Sequence, residues 1–388
     1  MSRFERGVPI WFYAGGALGP FAGGIIGAIL PALRASFGAD LALASWTVPA
    51  YMAPFAVFQL VSGAFSDRVS RRVALGIGFS LYTLASLVCA IAPGMEWFIA
   101  GRALQGAANA FTTPILIAAT ADLVPRERLG RALGAFVSVN MIGGFAAPLV
   151  GGVGAEIDWR YVYVVTALIS LVLGILYDHI LAGQPRRAHG TATPLGQLLA
   201  SALDRRGLLV GLAAFLAQVG TFGSSYLWST YLVDRWQLDL WLAGVISSAL
   251  GLTGILAAPI AGRQCDRHGP IPVLMASAVL AALAGVGLAF APTPWVFFIF
   301  TILLGAGYGA VWAAMPNLVL SVLPDPRVRG TAISINATFR FGSSAISPAF
   351  FTPVYAGFGG GVFLVATLSA TLLLGLVALV PRSAPRRT

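Results

Sequence analysis

Gly63-Ala-Phe-Ser-Asp67-Arg68-Val-Ser70-Arg71-Arg72 and Gly262-Arg-Gln-Cys-Asp266-Arg267-His-Gly269 read as two versions of one short charged loop. Each lies between long apolar runs, and their Asp residues are 199 positions apart. Two further matches keep almost that offset. Gly130-Arg131-Ala132 is echoed by Gly330-Thr331-Ala332, and Pro148 by Pro348, each 200 positions on. Three matches within one residue of the same spacing indicate a duplicated chain.

Working outward from these loops, apolar runs of about 20 residues mark membrane spans. Twelve are assigned: 9–33, 45–65, 73–92, 97–119, 131–154, 161–182, 209–232, 241–261, 271–291, 295–319, 331–354 and 360–380. Composition agrees: 58% of the 388 residues are hydrophobic and 10% are charged, with a mean hydropathy of +0.85. Soluble domains carry about 25% charged residues. The expectation is an all-α integral membrane protein with twelve transmembrane helices in two pseudo-symmetric six-helix bundles. Disorder and a disulfide-built secreted domain are excluded. The first span resembles a signal peptide, but its apolar run is long and no cleavage site follows, so it reads as helix 1.

The division falls as residues 1–182 for the first bundle, 183–208 for a cytoplasmic linker and 209–388 for the second bundle. All 24 basic residues are Arg. With the N-terminus inside, nineteen face the cytoplasm, three (Arg34, Arg160, Arg235) face outside, and two (Arg102, Arg340) lie within spans. That bias puts both termini in the cytoplasm. The absence of Lys, with abundant Ala and Gly, points to a GC-rich bacterial genome and hence a bacterial inner (plasma) membrane. The net charge of +10 belongs to short loops, and no Arg block suits nucleic acid. Cys89 and Cys265 are too far apart in this topology to pair, and His179, His189 and His268 lack zinc-ligand spacing. No cofactor, metal or nucleotide is expected; without Lys there is no Walker motif. No nucleophile–base constellation marks an enzyme.

Parallel six-helix repeats with a central site are a transporter architecture. Here the residues become specific. Gly63, Asp67, Arg68, Arg71 and Arg72 resemble the G-x-x-x-D-R-x-G-R-[RK] loop of the major facilitator superfamily, with Ser70 in place of the second Gly. Arg102, Gln105 and Gly106 resemble its R-x-x-Q-G signature in helix 4. Gly134, Gly143, Ala147, Pro148, Gly151 and Gly152 resemble the helix-5 signature of its drug:proton antiporter branch, with one Gly changed to Ala. The resemblance implies a twelve-helix exporter working by alternating access, with proton return as the drive. It also implies a latch: Asp67 on the start of helix 11 near Gly330–Thr331, Arg71 paired with Asp122, and Asp266 and Arg267 as the second copy. A monomer in the lipid bilayer suffices for this mechanism.

Gly143, Ala147 and Gly151 are four residues apart, on one helix face, where small side chains admit a close neighbour. Arg102 and Arg340 are the costly residues. An Arg in a span costs at least ~2.5–3.5 kcal/mol, so it must find a partner or a wet cavity. The candidate path for substrate and protons therefore comprises Arg102, Gln105 and Asn109 on span 4, Asn140 on span 5, and Gln218, Tyr226 and Trp228 on span 7. It continues with Tyr308, Trp312 and Asn317 on span 10 and Asn336 and Arg340 on span 11. The alternative for each polar residue is packing between helices.

Thirteen of the fourteen acids fall in loops or at span ends, and Asp178 lies about four residues inside the cytoplasmic end of span 6. Helix 1 lacks the acid that many proton-coupled exporters carry, leaving Asp178 and Asp234 as the proton-carrier candidates. Two deep Arg without a central carboxylate make a positive cavity. The expected substrate is thus a small neutral or anionic organic molecule, with protons as the coupling partner. An uptake symporter or uniporter for an organic anion, and a non-transporting solute sensor, are the alternatives.

Overall fold

The computed structural model describes residues 10–182, 205–322 and 329–379. All regular elements among the described residues are helices. Ten helical runs are long and apolar enough to cross a membrane. One of them, 336–378, contains two helices, Arg329–Phe358 and Val362–Ala378. The missing twelfth is span 4, which falls below that length because it is broken into Met95–Ala110 and Thr113–Leu123. All twelve expected spans are accounted for. Their outward faces are apolar, as on span 6, where Val165, Leu168, Ile169 and Val172 are exposed.

The charged loops are shorter than expected. Helix Thr47–Arg68 carries Gly63 through Arg68, and helix Leu240–His268 carries Asp266 and Arg267. The turn is confined to the residues that follow. In the first copy Ser70 caps the next helix, its hydroxyl accepting from Val73 N at 3.2 Å. In the second, Gly269 stands at φ +80°, a conformation glycine adopts without strain. The Ser-for-Gly change thus exchanges a left-handed turn for a helix cap.

Two spans are interrupted. In span 4 the break is at Phe111–Thr112, just ahead of Pro114, which has no N–H to continue the ladder. The Phe111 carbonyl lies against Gly78 of span 3, where a Cβ would come within 2.6 Å of it. In span 7, helix Arg205–Ser225 ends after Gly223-Ser224-Ser225 and resumes as Trp228–Trp236. Such Gly/Ser pairs are a common site of kinks.

The chain divides into two compact units. One comprises 1–192 with 226–248, the other 193–225 with 249–388. The expected boundary between 182 and 209 is therefore incomplete: the segment after the span 7 break groups with the first bundle. Helix Arg205–Ser225 also begins inside the expected linker, and 183–204 lies outside the described residues.

In the first unit span 1 packs along span 5. A Cβ on Gly143 would overlap the Ala17 carbonyl, and one on Gly151 would lie 2.9 Å from Ala28. In the second unit span 7 packs along span 11, with Phe339 over Gly211 and Phe351 over Gly223. Absent side chains let these helices approach closely.

Candidate functional site

Each unit holds one buried polar cluster around an Arg. In the first unit Arg102 is 0% exposed. Its Nη1 donates to Ala22 O at 2.9 Å and to Gln105 Oε1 at 2.6 Å, and its Nε to Thr47 O at 3.4 Å. The guanidinium stacks on Tyr51 at 4.2 Å. Gln105 passes the network on, its Nε2 donating to Ser86 Oγ at 2.9 Å. Tyr51 and Tyr82 donate to Gly19 O and Leu18 O. Arg102 thus ties spans 1, 2 and 4 together, and lies in the unit's interior rather than on a cavity wall. Its Nη2 and the Tyr163 hydroxyl have no hydrogen-bond partner among the described residues.

Asn109 is also enclosed. It sits at the span 4 break, where its Oδ1 accepts from Thr112 and Thr113, each at 3.1 Å. Gly19 makes the room, since a Cβ there would lie 2.6 Å from that oxygen. Asn140 donates to Gly16 O at 2.9 Å. Pro20 explains this bond: it has no N–H, so the carbonyl four residues earlier has no partner in its own helix.

In the second unit Arg340 is half-buried on span 11. Its Nε donates to Gln218 Oε1 at 3.1 Å, and Gln218 Nε2 donates to Ser344 Oγ at 2.9 Å. The guanidinium lies over Trp312 at 4.1 Å. Trp312 and Tyr308 are four apart on span 10, and Asn336 and Arg340 are four apart on span 11, so each pair shares a helix face. The Tyr308 hydroxyl, buried at 2% exposure and set against Gly220, has no partner among the described residues, and neither has Asn336 Nδ2. Arg340 is about 16 Å along its helix by rise, close to half a bilayer. The cluster offers hydrogen-bond donors, a fixed positive charge and an aromatic face.

The structure therefore brings Gln218, Trp312 and Arg340 into contact, with Tyr308 one turn from Trp312 and Asn336 one turn from Arg340 on their helices. Asn317 lies further along span 10 and is exposed. Tyr226 and Trp228 are buried in the other unit, beyond the span 7 break. Ser344 was missed by sequence reasoning, although it stands one turn beyond Arg340. Tyr51 was missed as well, and nothing in its sequence neighbourhood distinguishes it.

Of the latch residues, Arg71 Nε lies 3.2 Å from Asp122, and Arg71 also meets Ser66. The side chains of Asp67, Arg68 and residues 329–335 lie outside what the structure describes, so the expected Asp67 docking does too. Asp266 and Arg267 are exposed. Asp178 accepts two bonds from Arg72, at 2.6 and 2.8 Å, with both side chains nearly half exposed (46% and 47%). It is a surface ion pair rather than an embedded acid.

The glycine series on span 5 uses two faces. Gly143, Ala147 and Gly151 meet span 1, with Ala147 beside Gly24. Gly152 meets span 8 instead, crossing at Gly244. A Cβ on Gly244 would lie 3.1 Å from Gly152 Cα and would overlap the Pro148 carbonyl. Beyond the crossing, Glu156 accepts from Leu240 N at 3.1 Å. Gly134 has nothing within 4 Å of a Cβ position and takes no part.

The model of the Major Facilitator Superfamily matches residues 12–235 and 210–388. This chain belongs to the major facilitator superfamily. Multidrug resistance protein MdtG of Enterobacter lignolyticus is 27% identical over 79% of this chain and 74% of its own. Riboflavin transporter RibZ of Clostridioides difficile is 25% identical over 86% of this chain and 84% of its own. The crystal structure of a D-xylose-proton symporter superposes with a TM-score of 0.75 at 16% identity, covering 94% of this chain and 95% of that one. That last likeness is one of fold. The protein is a multi-pass secondary transporter rather than an enzyme, and it resembles the drug:proton antiporter branch of the superfamily.

Proposed function

We propose that this major facilitator protein exports a small neutral or anionic amphipathic molecule by alternating access, from a bacterial cytoplasm across the plasma membrane, with both termini inside. The observation that carries the substrate class is the donor-rich cluster of Arg340, Gln218, Asn336, Tyr308 and Ser344 beside Trp312. Positive potential in a low-dielectric site attracts anions and repels cations. The direction rests on the span 5 glycine series and on the likeness to a protein named for multidrug resistance. The Arg102 cluster is read as the structural tie of the first unit, with its conformational glycines close by.

The test uses inside-out vesicles from cells making the protein, offered matched cationic, neutral and anionic compounds. Uptake of neutral or anionic compounds into these vesicles is the expected result. Uptake of lipophilic cations alone would overturn the substrate class. Uptake by intact cells instead would favour the second reading, import of an organic anion, which the same guanidinium site supports equally well.

A further inference from the structure

Proton antiport needs a group that carries a proton through the membrane interior, and in this chain no such group is evident. By sequence, thirteen of the fourteen carboxylates fall in loops or at span ends, and Asp178 with His179 lies a few residues inside the cytoplasmic end of span 6. Asp178, three residues from the end of its helix, is held by Arg72 at the surface. Glu156 accepts from a helix N-terminus at the end of span 5. What lies deep in the second unit is a fixed positive charge. Around it, Asn336 Nδ2 and the Tyr308 hydroxyl have no partner among the described residues. Two acceptors in this cluster are engaged, Gln218 Oε1 by Arg340 and Ser344 Oγ by Gln218.

We infer that the substrate is an organic monoanion seated at Arg340, and that its own charge, acted on by the membrane potential, drives its export without a coupled proton. The inference rests on the export reading above and deepens it. The Asn336 amide and the Tyr308 phenol, without partners among the described residues, and the guanidinium, which spends its Nε on Gln218 and carries four further N–H donors, match the several lone pairs of a carboxylate or sulfonate. Trp312 and Phe341, 4.1 and 5.3 Å from the guanidinium carbon, provide apolar surface for the rest of the molecule. A cell interior is electrically negative, so an anion leaves downhill. Each 100 mV multiplies the outward gradient of a monoanion roughly 50-fold (about 2.3 kcal/mol). A protein holding such an anion has no thermodynamic need of a proton carrier.

The full-length protein in liposomes tests this with two matched probes. 1-Naphthalenesulfonate stays a monoanion at every working pH, so no proton travels with it. 1-Naphthalenesulfonamide is its neutral counterpart. A potassium gradient with valinomycin sets a 100 mV inside-positive potential at equal pH on both sides. The expected result is sulfonate accumulation approaching 50-fold, none at zero potential, and at least a tenfold slower flux in Arg340→Gln. The voltage dependence of the unaltered protein decides the matter even if that variant fails to fold. Sulfonate flux that answers to a pH gradient and not to voltage overturns the potential-driven step and leaves the export reading standing. Flux of the sulfonamide alone overturns the monoanion and again leaves export of neutral molecules. No flux of either probe overturns both.

Discussion

Asn140 and Arg340 stand 200 positions apart and make the same connection in different chemistry. Asn140 joins span 5 to span 1 through the Gly16 carbonyl, and Arg340 joins span 11 to span 7 through the Gln218 amide. The duplication kept the place of the bond and exchanged a neutral donor for a charged one. At this pair of positions the charge lies in the second unit, beside Gln218 and Trp312.

The Asn140 bond exists because Pro20 leaves the Gly16 carbonyl without its helical partner. Asn140→Leu should therefore lower stability by about 1–3 kcal/mol, the cost of a buried unsatisfied acceptor. Adding Pro20→Ala returns an N–H to the helix and should recover much of the loss. Thermal unfolding of the two single variants and the double variant in detergent measures this coupling, and additive losses would contradict it.

Trp312 carries the Arg340 guanidinium on its face. Replacing it with Leu removes a cation–π contact worth about 0.5–2 kcal/mol. The apparent KM for an anionic substrate should rise about 2- to 30-fold, while Trp241→Leu, at an exposed position in the first unit, should leave it unchanged. Initial rates against substrate concentration give the comparison.

Arg102 donates to three acceptors from the interior of the first unit. Arg102→Leu strands Gln105 and the carbonyls of Ala22 and Thr47, and should cost about 3 kcal/mol or more. Arg102→Lys should rescue little, because an ammonium lacks the planar fork that reaches several directions at once. The expected signature is a fall in melting temperature and in yield. A variant that folds normally but transports poorly would instead make Arg102 part of the path.

Gly152 and Gly244 cross without side chains between them. A Leu at either position overpacks the crossing by about 1–3 kcal/mol, which shifts conformational populations by roughly 5- to 150-fold. A cysteine in place of Leu240, with Cys89 and Cys265 changed to Ser, reports on it through its labelling by an impermeant maleimide. Labelling should quicken in Gly152→Leu and stay at the control rate in Gly134→Leu, where a Cβ has nothing within 4 Å.

Asp178 and Arg72 form an exposed pair, of a kind worth about 0–1 kcal/mol. Asp178→Asn should transport within about twofold of the unaltered protein, a margin that corresponds to less than 0.5 kcal/mol. A loss of transport with its pH dependence would restore Asp178 as a proton carrier.

The twelve spans were legible because bilayer thickness imposes one length on every apolar run. The breaks at Phe111–Thr112 and Tyr226–Leu227 were not, because hydropathy stays at span length across both and hides the local signals, Pro114 and Gly223-Ser224-Ser225. Of the embedded Arg, sequence gave depth but no direction. Arg102 turned inward onto the carbonyls of spans 1 and 2, whereas Arg340 found a single amide and an aromatic face. The same limit applied to the span 5 glycines. Their four-residue spacing predicted one contact face, which Gly143, Ala147 and Gly151 share. Gly152 points elsewhere, and its partner Gly244 has no signature of its own. In the charged loops, the motif overstated the turn, since helices extend through most of it and leave Ser70 or Gly269 to reverse the chain.

The crossing of Gly152 and Gly244 has a kinetic consequence. A seam closed by side chains loosens by degrees, as one rotamer after another swings aside. A seam made of backbone against backbone has nothing to swing. It parts when whole helices separate, and then all its contacts are lost together. Passage through such a seam is a discrete event with its own waiting time, so single-molecule records across it should show two levels and abrupt steps rather than a drift.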